Sequence, residues 1–462
     1  MQEGDKRGVI LVDEMKLSEG VFFDQQSMKF CGFVDLGRHT PDDLKNKTAD
    51  RALVFKFVPF RGRWVQSLDC FLSKNACKSE PLHKHILECI VLMENSPICI
   101  DAVIIDGASW NRGVWEIFGV DENNISCEHP CDSLRRLRMI SDFNHLLKCF
   151  RTSTLDDRLQ EFKTPYGTVE KRHWEALLEE ENYRQPNMKI AYKLTPAHLK
   201  PNGFQAMNVP LATEVFGHEV SVAMAHYQPM CNKLKDSTPT QKFIDLIFNL
   251  VQAMSSHIPG DALYAKDDCR NKQAILKFLQ FYEDWEKFEK KIPVSRSTSV
   301  GLKVTLRATL EILDMLKDVC DSKYLMTATL SQDPLERFFS VMRYSCGGND
   351  HPDPKMFAQV YRLASSFSLI RPPRGCNVSG TDLLKSPKVI ASAIKHFKEY
   401  DLDAIFKENT GCKHSDWCSE SAIGIEDVQN CVDRRNDTCK TDSFMPVIES
   451  MEEWLKNPWS TD

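Results

Sequence analysis

The chain has 462 residues, 42% of them hydrophobic and 10% aromatic, with a formal charge of −6. This composition excludes a disordered chain, and the charge argues weakly against one that is a nucleic-acid-binding surface throughout, since local basic grooves can still meet phosphate. No apolar run is long enough to cross a membrane, and the length predicts about two to four domains.

The charged start MQEGDKRGVILVDEMK lacks the apolar core of an export signal. The seventeen cysteines are scattered through apolar segments such as HILECIVLM and read as free thiols in a reducing compartment.

In chain order, GVILVDEM (Gly8 to Met15) is an apolar strand ending in acids. GVFFD and KFCGFVDLG read as an antiparallel continuation, and ALVFKFV and WVQSLDCFL as further extended runs. PLHKHILECIVLMEN reads as a helix opened by Pro81. ICIDAVIIDGASWNRGVWEIFG is a strand, a glycine turn and a helix, and RLRMISDFNHLLKCFR another strand-to-helix passage. Antiparallel strands followed by alternating helices and strands predict an α/β layout.

From about Thr152 to Lys323 the texture turns helical, with few strand signals. Phe243, Leu246, Ile247, Leu250, Val251 and Met254 share one helix face. Ile275, Phe278, Leu279 and Tyr282 share a second, and Leu302, Leu306, Leu310 and Leu313 a third. LSQDPLERFFSVMR then opens a helix running to about Phe367, with Leu335, Phe338, Phe339 and Met342 facing a core. Here Asp333 suits the N-cap and Pro334 the first helical position. Glu336 is either the third-position partner of a capping box or one of several carboxylates gathered around metal.

Asp13 and Asp106 end apolar strands, where open α/β sheets place ligand sites. Each either simply starts a turn or shares a metal with the other. Two cysteine and histidine groups, Cys127–His129–Cys131 and Cys412–His414–Cys418, lack the paired spacing of a structural zinc finger and read as reduced thiols in loops.

LVDEMKL, IIDGASWNRGVW and SQDPLERFFSVMR, with FCGFVDLG, SDFNHLLKCFR and KLTPAHLKPNGFQAMNVPLATEVF between them, resemble in this order the P-element type of DNA transposase, a family often joined to a THAP zinc domain. The resemblance runs over roughly Gly8 to Arg362. It implies an α/β RNase H-like domain, a mixed sheet flanked by helices, interrupted by a large all-α insertion domain. On that plan 1–151 and 326–372 form the RNase H-like domain, 152–325 the GTP-binding-type insertion, and 373–462 a tail, partly helical and partly disordered.

The resemblance implies that Asp13, Asp106 and Glu336 are the catalytic, metal-binding acids. Mg²⁺ wants such oxygen ligands, and two ions about 4 Å apart can activate a nucleophile and stabilise the leaving oxygen. Water as nucleophile cuts DNA and a 3′-hydroxyl joins it, so cleavage and strand transfer are one site used twice. The implied partners are transposon ends, target DNA and further copies of the chain, in the nucleus. Asn111, Arg112, Arg337 and Arg343 are candidates for contact with DNA phosphate, and Asp142 and His145 for groups near the site.

Lys193 and Val209 match the family's nucleotide segment, which implies GTP as a cofactor. Asn208 stands where a lysine is usual, Gly217 where a serine is, and Gln252 where an aspartate is. An amide offers the guanine edge one acceptor where a carboxylate accepts two hydrogen bonds, and no Walker-type glycine loop compensates. The chain starts almost at the first strand, without the family's zinc module, so sequence-specific binding to transposon ends is expected to be weak. This supports an alternative: a host-adopted, catalytically silent relative that binds DNA or protein.

Overall fold

The structure is a computed structural model that describes residues 3–370 apart from 25–27, 63, 97, 108, 185–187 and 204. The tail over 373–462 and the Cys412–His414–Cys418 group lie outside the described residues.

Strands β1 (Arg7–Lys16), β2 (Phe22–Asp24), β3 (Lys29–Cys31), β4 (Arg51–Pro59), β5 (Gln66–Ser73), β6 (Cys99–Ile105), β7 (Ser126–His129) and β8 (Asp132–Ser141) follow in chain order. Six of them form a mixed sheet in the order β5-β4-β1-β6-β8-β7. Within it β4 and β5 are antiparallel, β6 and β8 parallel, and β7 and β8 antiparallel. Strand β1 is buried without interruption from Arg7 to Val12, the pattern of a strand covered on both faces. The helices are α1 (Glu3–Lys6), α2 (Ser79–Glu94), α3 (Ser109–Ile117), α4 (Phe143–Thr154), α5 (Lys171–Asn182), α6 (Pro196–Leu199), α7 (Val209–Glu214), α8 (His218–Tyr227), α9 (Thr238–Met254), α10 (Arg270–Phe288), α11 (Arg296–Cys320), α12 (Asp333–Ser345) and α13 (Pro354–Ile370).

The chain divides into two compact units, Met1–Val9 with Ile100–Gln332, and Ile10–Cys99 with Asp333–Asp462. In the first, the helical region packs around Phe243 of α9, whose ring lies 5.4 Å from Phe162, 6.0 Å from Trp285 and 6.1 Å from Phe150. All the residues expected on the α9 and α10 faces are buried. On α11 the buried face is wider than the leucine pattern. Leu302, Leu306 and Leu313 are buried and Leu310 half-buried, while Lys303, Val304, Thr305, Ala308, Thr309 and Ile312 are buried as well. The reason is that α11 packs on β8, α4 and α10 at once. The amide of Ser141 donates to Thr305 Oγ1 at 3.0 Å, and Arg138 meets Glu311 at 3.2 Å.

Two short antiparallel pairs interrupt the helical texture, β9 (Glu161–Thr164) with β10 (Gly167–Glu170) and β11 (Leu263–Tyr264) with β12 (Tyr324–Leu325). Cys127 and His129, expected in a loop, lie on β7. Pairing with β8 makes that polar stretch a strand. His129 is used structurally: its Nε2 meets the Ile100 carbonyl at 2.9 Å, and its Nδ1 accepts the Cys131 N–H at 3.2 Å.

In the second unit, the single helix expected from Asp333 to about Phe367 is two, α12 and α13. Gly347 and Gly348 follow α12 with φ of 74° and 72°, a left-handed exit that ends a helix and that glycine adopts without strain. Helix α13 starts afresh at Pro354 and packs on β5 and α12. The α12 face is as expected, with Leu335, Phe338, Phe339 and Met342 buried.

On α2, His85 is 1% exposed, its ring 4.0 Å from that of Phe71 and neither nitrogen in hydrogen-bond geometry. Burial pushes it down to about 4, against the opposing field of Glu88, whose Oε2 stands 3.8 Å away beside His39 and Arg38. The unfolded chain then takes up this proton near pH 6.5 and the folded one only near pH 4. The stability due to the neutral ring is lost as pH falls through that window, by up to about 3 kcal/mol. His85→Phe is expected to flatten this acid limb, read by urea unfolding at stepped pH. An unchanged slope between pH 6.5 and 4 refutes it.

Candidate active site

The first unit carries Asp106 and the second carries Asp13 and Glu336. Asp13 is half-buried inside β1, ahead of Glu14, Met15 and Lys16, and so does not end its strand as expected. The strand runs to Lys16, four residues past the apolar run that ends at Val12. Asp13 Oδ1 accepts the Glu14 N–H at 2.7 Å, which orients the carboxylate. Asp106, also half-buried, follows β6 directly, as the strand-end reading expected.

Glu336 is exposed in the first turn of α12, off the buried stripe of that helix. Asp333 is the first helical residue, one place inside the expected cap, and Pro334 stays in the first turn, where a missing N–H costs nothing. Two residues past Glu336, the Phe338 ring carries the Lys56 amine 4.1 Å above its centre. Burial pushes that amine down to about 7. Of the candidate DNA contacts on α12, Arg337 is exposed and Arg343 half-buried.

Arg112 has partners that sequence reasoning missed. Its Nη2 donates to the Ser297 carbonyl at 2.9 Å and its Nε to Ser297 Oγ at 3.3 Å. The guanidinium lies 4.0 Å over the Trp115 ring. A Cβ at Gly301 would stand 2.1 Å from Nη2, so any side chain there would displace the guanidinium from this place. Burial pushes Arg112 down to about 10, opposed by the charge of Asp106. Asn111 lies on α3. The His145 ring sits against Gly107, whose added Cβ would lie 2.8 Å from it.

In the nucleotide segment, Lys193 lies 3.8 Å from both Glu214 and Glu219, and His198 meets Glu214 at 3.2 Å. Asn208 caps α7, accepting the Leu211 N–H at 3.4 Å, and Val209 is the first residue of that helix. Gly217 precedes α8, and Gln252 is exposed on α9. The one cation among these positions thus faces two carboxylates, a poor fit to a triphosphate.

Among the described residues, Glu170, His173 and Asp236 bring their ligand atoms within 4.8 Å of one another. Arg172 already binds both carboxylates, at 2.5 Å on Glu170, and His173 is held by Thr240 at 2.7 Å and Asp236 at 3.1 Å. A fixed guanidinium takes the place a cation would have, so the cluster is an ion-pair network tying β10 and α5 to the chain ahead of α9. No sequence spacing foretold it, because Asp236 is distant in the chain.

Residues 1–119 match the family model of the TNP-like RNase H N-terminal domain. Residues 144–266 match that of the TNP-like GTP-binding insertion domain, and 329–362 that of the TNP-like RNase H C-terminal domain. The chain is 23% identical over 378 residues to the transposable element P transposase of Drosophila melanogaster. That match covers 79% of this chain and 45% of the relative, so the chain spans less than half the relative's length. The fold is similar to that in the Drosophila P element transposase strand transfer complex, with a TM-score of 0.68 and 19% identity over 81% of this chain and 79% of that one. No helix among the described residues is long and apolar enough to cross a membrane.

Proposed function

The chain belongs to the P-element-type transposase family, and from that premise we propose that it is a DNA transposase-like nuclease and strand transferase that cuts and joins phosphodiesters with a divalent metal. The observation that carries this is the order of three carboxylates on an RNase H-like plan: Asp13 in β1, Asp106 directly after β6, and Glu336 in α12, reached only after the helical insertion.

The donor set fits Mg²⁺, being all carboxylate oxygen with each residue at least partly open to solvent. A bound pair of ions would supply Lewis acidity at phosphorus and an activated nucleophile. The chain's own residues hold and orient: Asp13 is aimed by the Glu14 amide, and exposed Arg337 and half-buried Arg343 put cations on α12 for phosphate oxygens. Asn111 remains a candidate for phosphate contact, while Arg112, bonded to Ser297, bears on DNA through the placement of its helix. DNA as substrate puts the protein in the nucleus, and two transposon ends joined to one target call for a homo-oligomer. The experiment is direct. Purified chain should nick DNA and join a 3′-end to a target with Mg²⁺ and not with chelator; no metal-dependent product at any concentration refutes the assignment.

For the insertion we propose weak GTP binding at the Lys193–Val209 segment, limited by the two carboxylates beside Lys193. Glu219→Gln removes one of them and is expected to tighten GTP about two- to fivefold, the scale of an exposed ion pair. Titration of labelled GTP against ATP reads it, and equal, negligible signals remove GTP from the account.

A further inference from the structure

Asp142 is 2% exposed, and its polar groups reach three separate stretches of chain. Its amide donates to the Ile105 carbonyl at 3.0 Å, on the residue before Asp106. Its Oδ2 accepts the His145 N–H at 2.7 Å and caps α4. Its Oδ1 accepts the Gln332 N–H at 3.0 Å, 190 positions away. Gln332 is itself 3% exposed, so its amide must be paired, and the helix carrying Glu336 starts at the next residue. The His145 ring, carried by the same cap, packs on Gly107 directly after Asp106.

An N-cap needs one acceptor. The second oxygen is used to hold the chain entering α12, and the backbone of the same residue holds the end of β6.

We propose that Asp142 is a positioning residue, pinning both the turn that carries Asp106 and the chain that enters the Glu336 helix, and so setting how each acid presents its carboxylate to metal. This rests on the roles proposed for Asp106 and Glu336. Glutamine or serine chemistry elsewhere could not do the same work, because only a carboxylate offers two oxygens that both accept.

Asp142→Asn keeps a good cap but has one acceptor, so it can satisfy His145 or Gln332 and not both. Asp142→Ser is a second variant that caps α4 but is too short to reach Gln332. In the full chain, both are expected to raise amide exchange over 331–336 about tenfold, the equivalent of one lost hydrogen bond, with the rest of α4 protected as in wild type. Mn²⁺ binding, followed by electron paramagnetic resonance without DNA, should weaken about tenfold. In turnover, kcat should fall and the metal needed for half-maximal rate should rise, while KM for DNA stays.

Wild-type exchange at 331–336, or unchanged Mn²⁺ affinity in both variants, overturns the proposal. Failure of the wild-type chain to bind Mn²⁺, or equal binding by Asp106→Asn, overturns instead the assignment of the acids on which it rests.

Discussion

Asp106→Asn is expected to lower metal-dependent DNA cleavage and joining about a thousandfold while the protein stays folded. Asparagine has the same shape but no charge, and a metal that stabilises a phosphoryl transition state contributes several kcal/mol, each 1.36 of which is tenfold in rate. The position itself tolerates the change. Asp106 is half-buried in the turn after β6, and the adjacent helix α3 is held independently by Arg112 on Ser297. Single-turnover rates at saturating Mg²⁺, beside melting curves for both proteins, separate chemistry from stability. A variant as fast as wild type removes Asp106 from the reaction and with it the proposed role of the three acids.

The largest expected loss of stability comes from Asp101→Asn. Asp101 is 1% exposed at the start of β6 and is bound by two guanidiniums. Arg7 donates from Nε at 2.9 Å and Nη2 at 2.6 Å, and Arg135 from Nη2 at 3.0 Å. Asparagine takes away the anion that both guanidiniums share, and one of them, Arg7, is buried. Breaking such a pair by removing one partner costs about 3–5 kcal/mol, because an uncompensated charge stays out of water. The urea midpoint should fall with the slope unchanged. Replacing Arg7 and Asp101 together by apolar residues of similar size should recover much of the loss, since the cost lies in keeping the buried guanidinium charge out of water more than in the missing bond. A single variant with a wild-type midpoint contradicts this account of the β1–β6 end of the first unit.

Much of the architecture was legible because helix and strand periods are local properties. The faces of α9, α10 and α12 were readable from their apolar spacing, since a side chain three or four positions on lies on the same side whatever packs against it. The order of acids and matching phrases pointed to an RNase H-like plan with a helical insertion for a similar reason: residue type and order survive in the sequence. Where context widened a face, the pattern fell short. On α11, buried Lys303, Thr305 and Thr309 are polar, so no hydropathy pattern could mark them; Lys303 is paired with Glu122 and Glu286, and Thr305 bonds to Ser141.

The remaining features depended on chain closure. Arg112 looked like a solvent-facing phosphate contact and is bonded to Ser297, 185 positions on. Asp142 read only as a group near the site; it caps α4, and its other oxygen meets Gln332. Cys127 and His129 became a strand only by pairing with β8. What the amino-acid order determined by itself is which segments are amphipathic, where the acids fall and which family they resemble. Tertiary structure alone decided which polar groups meet, because a hydrogen bond between distant residues requires both ends to be brought within about 3 Å, and no local pattern encodes that distance.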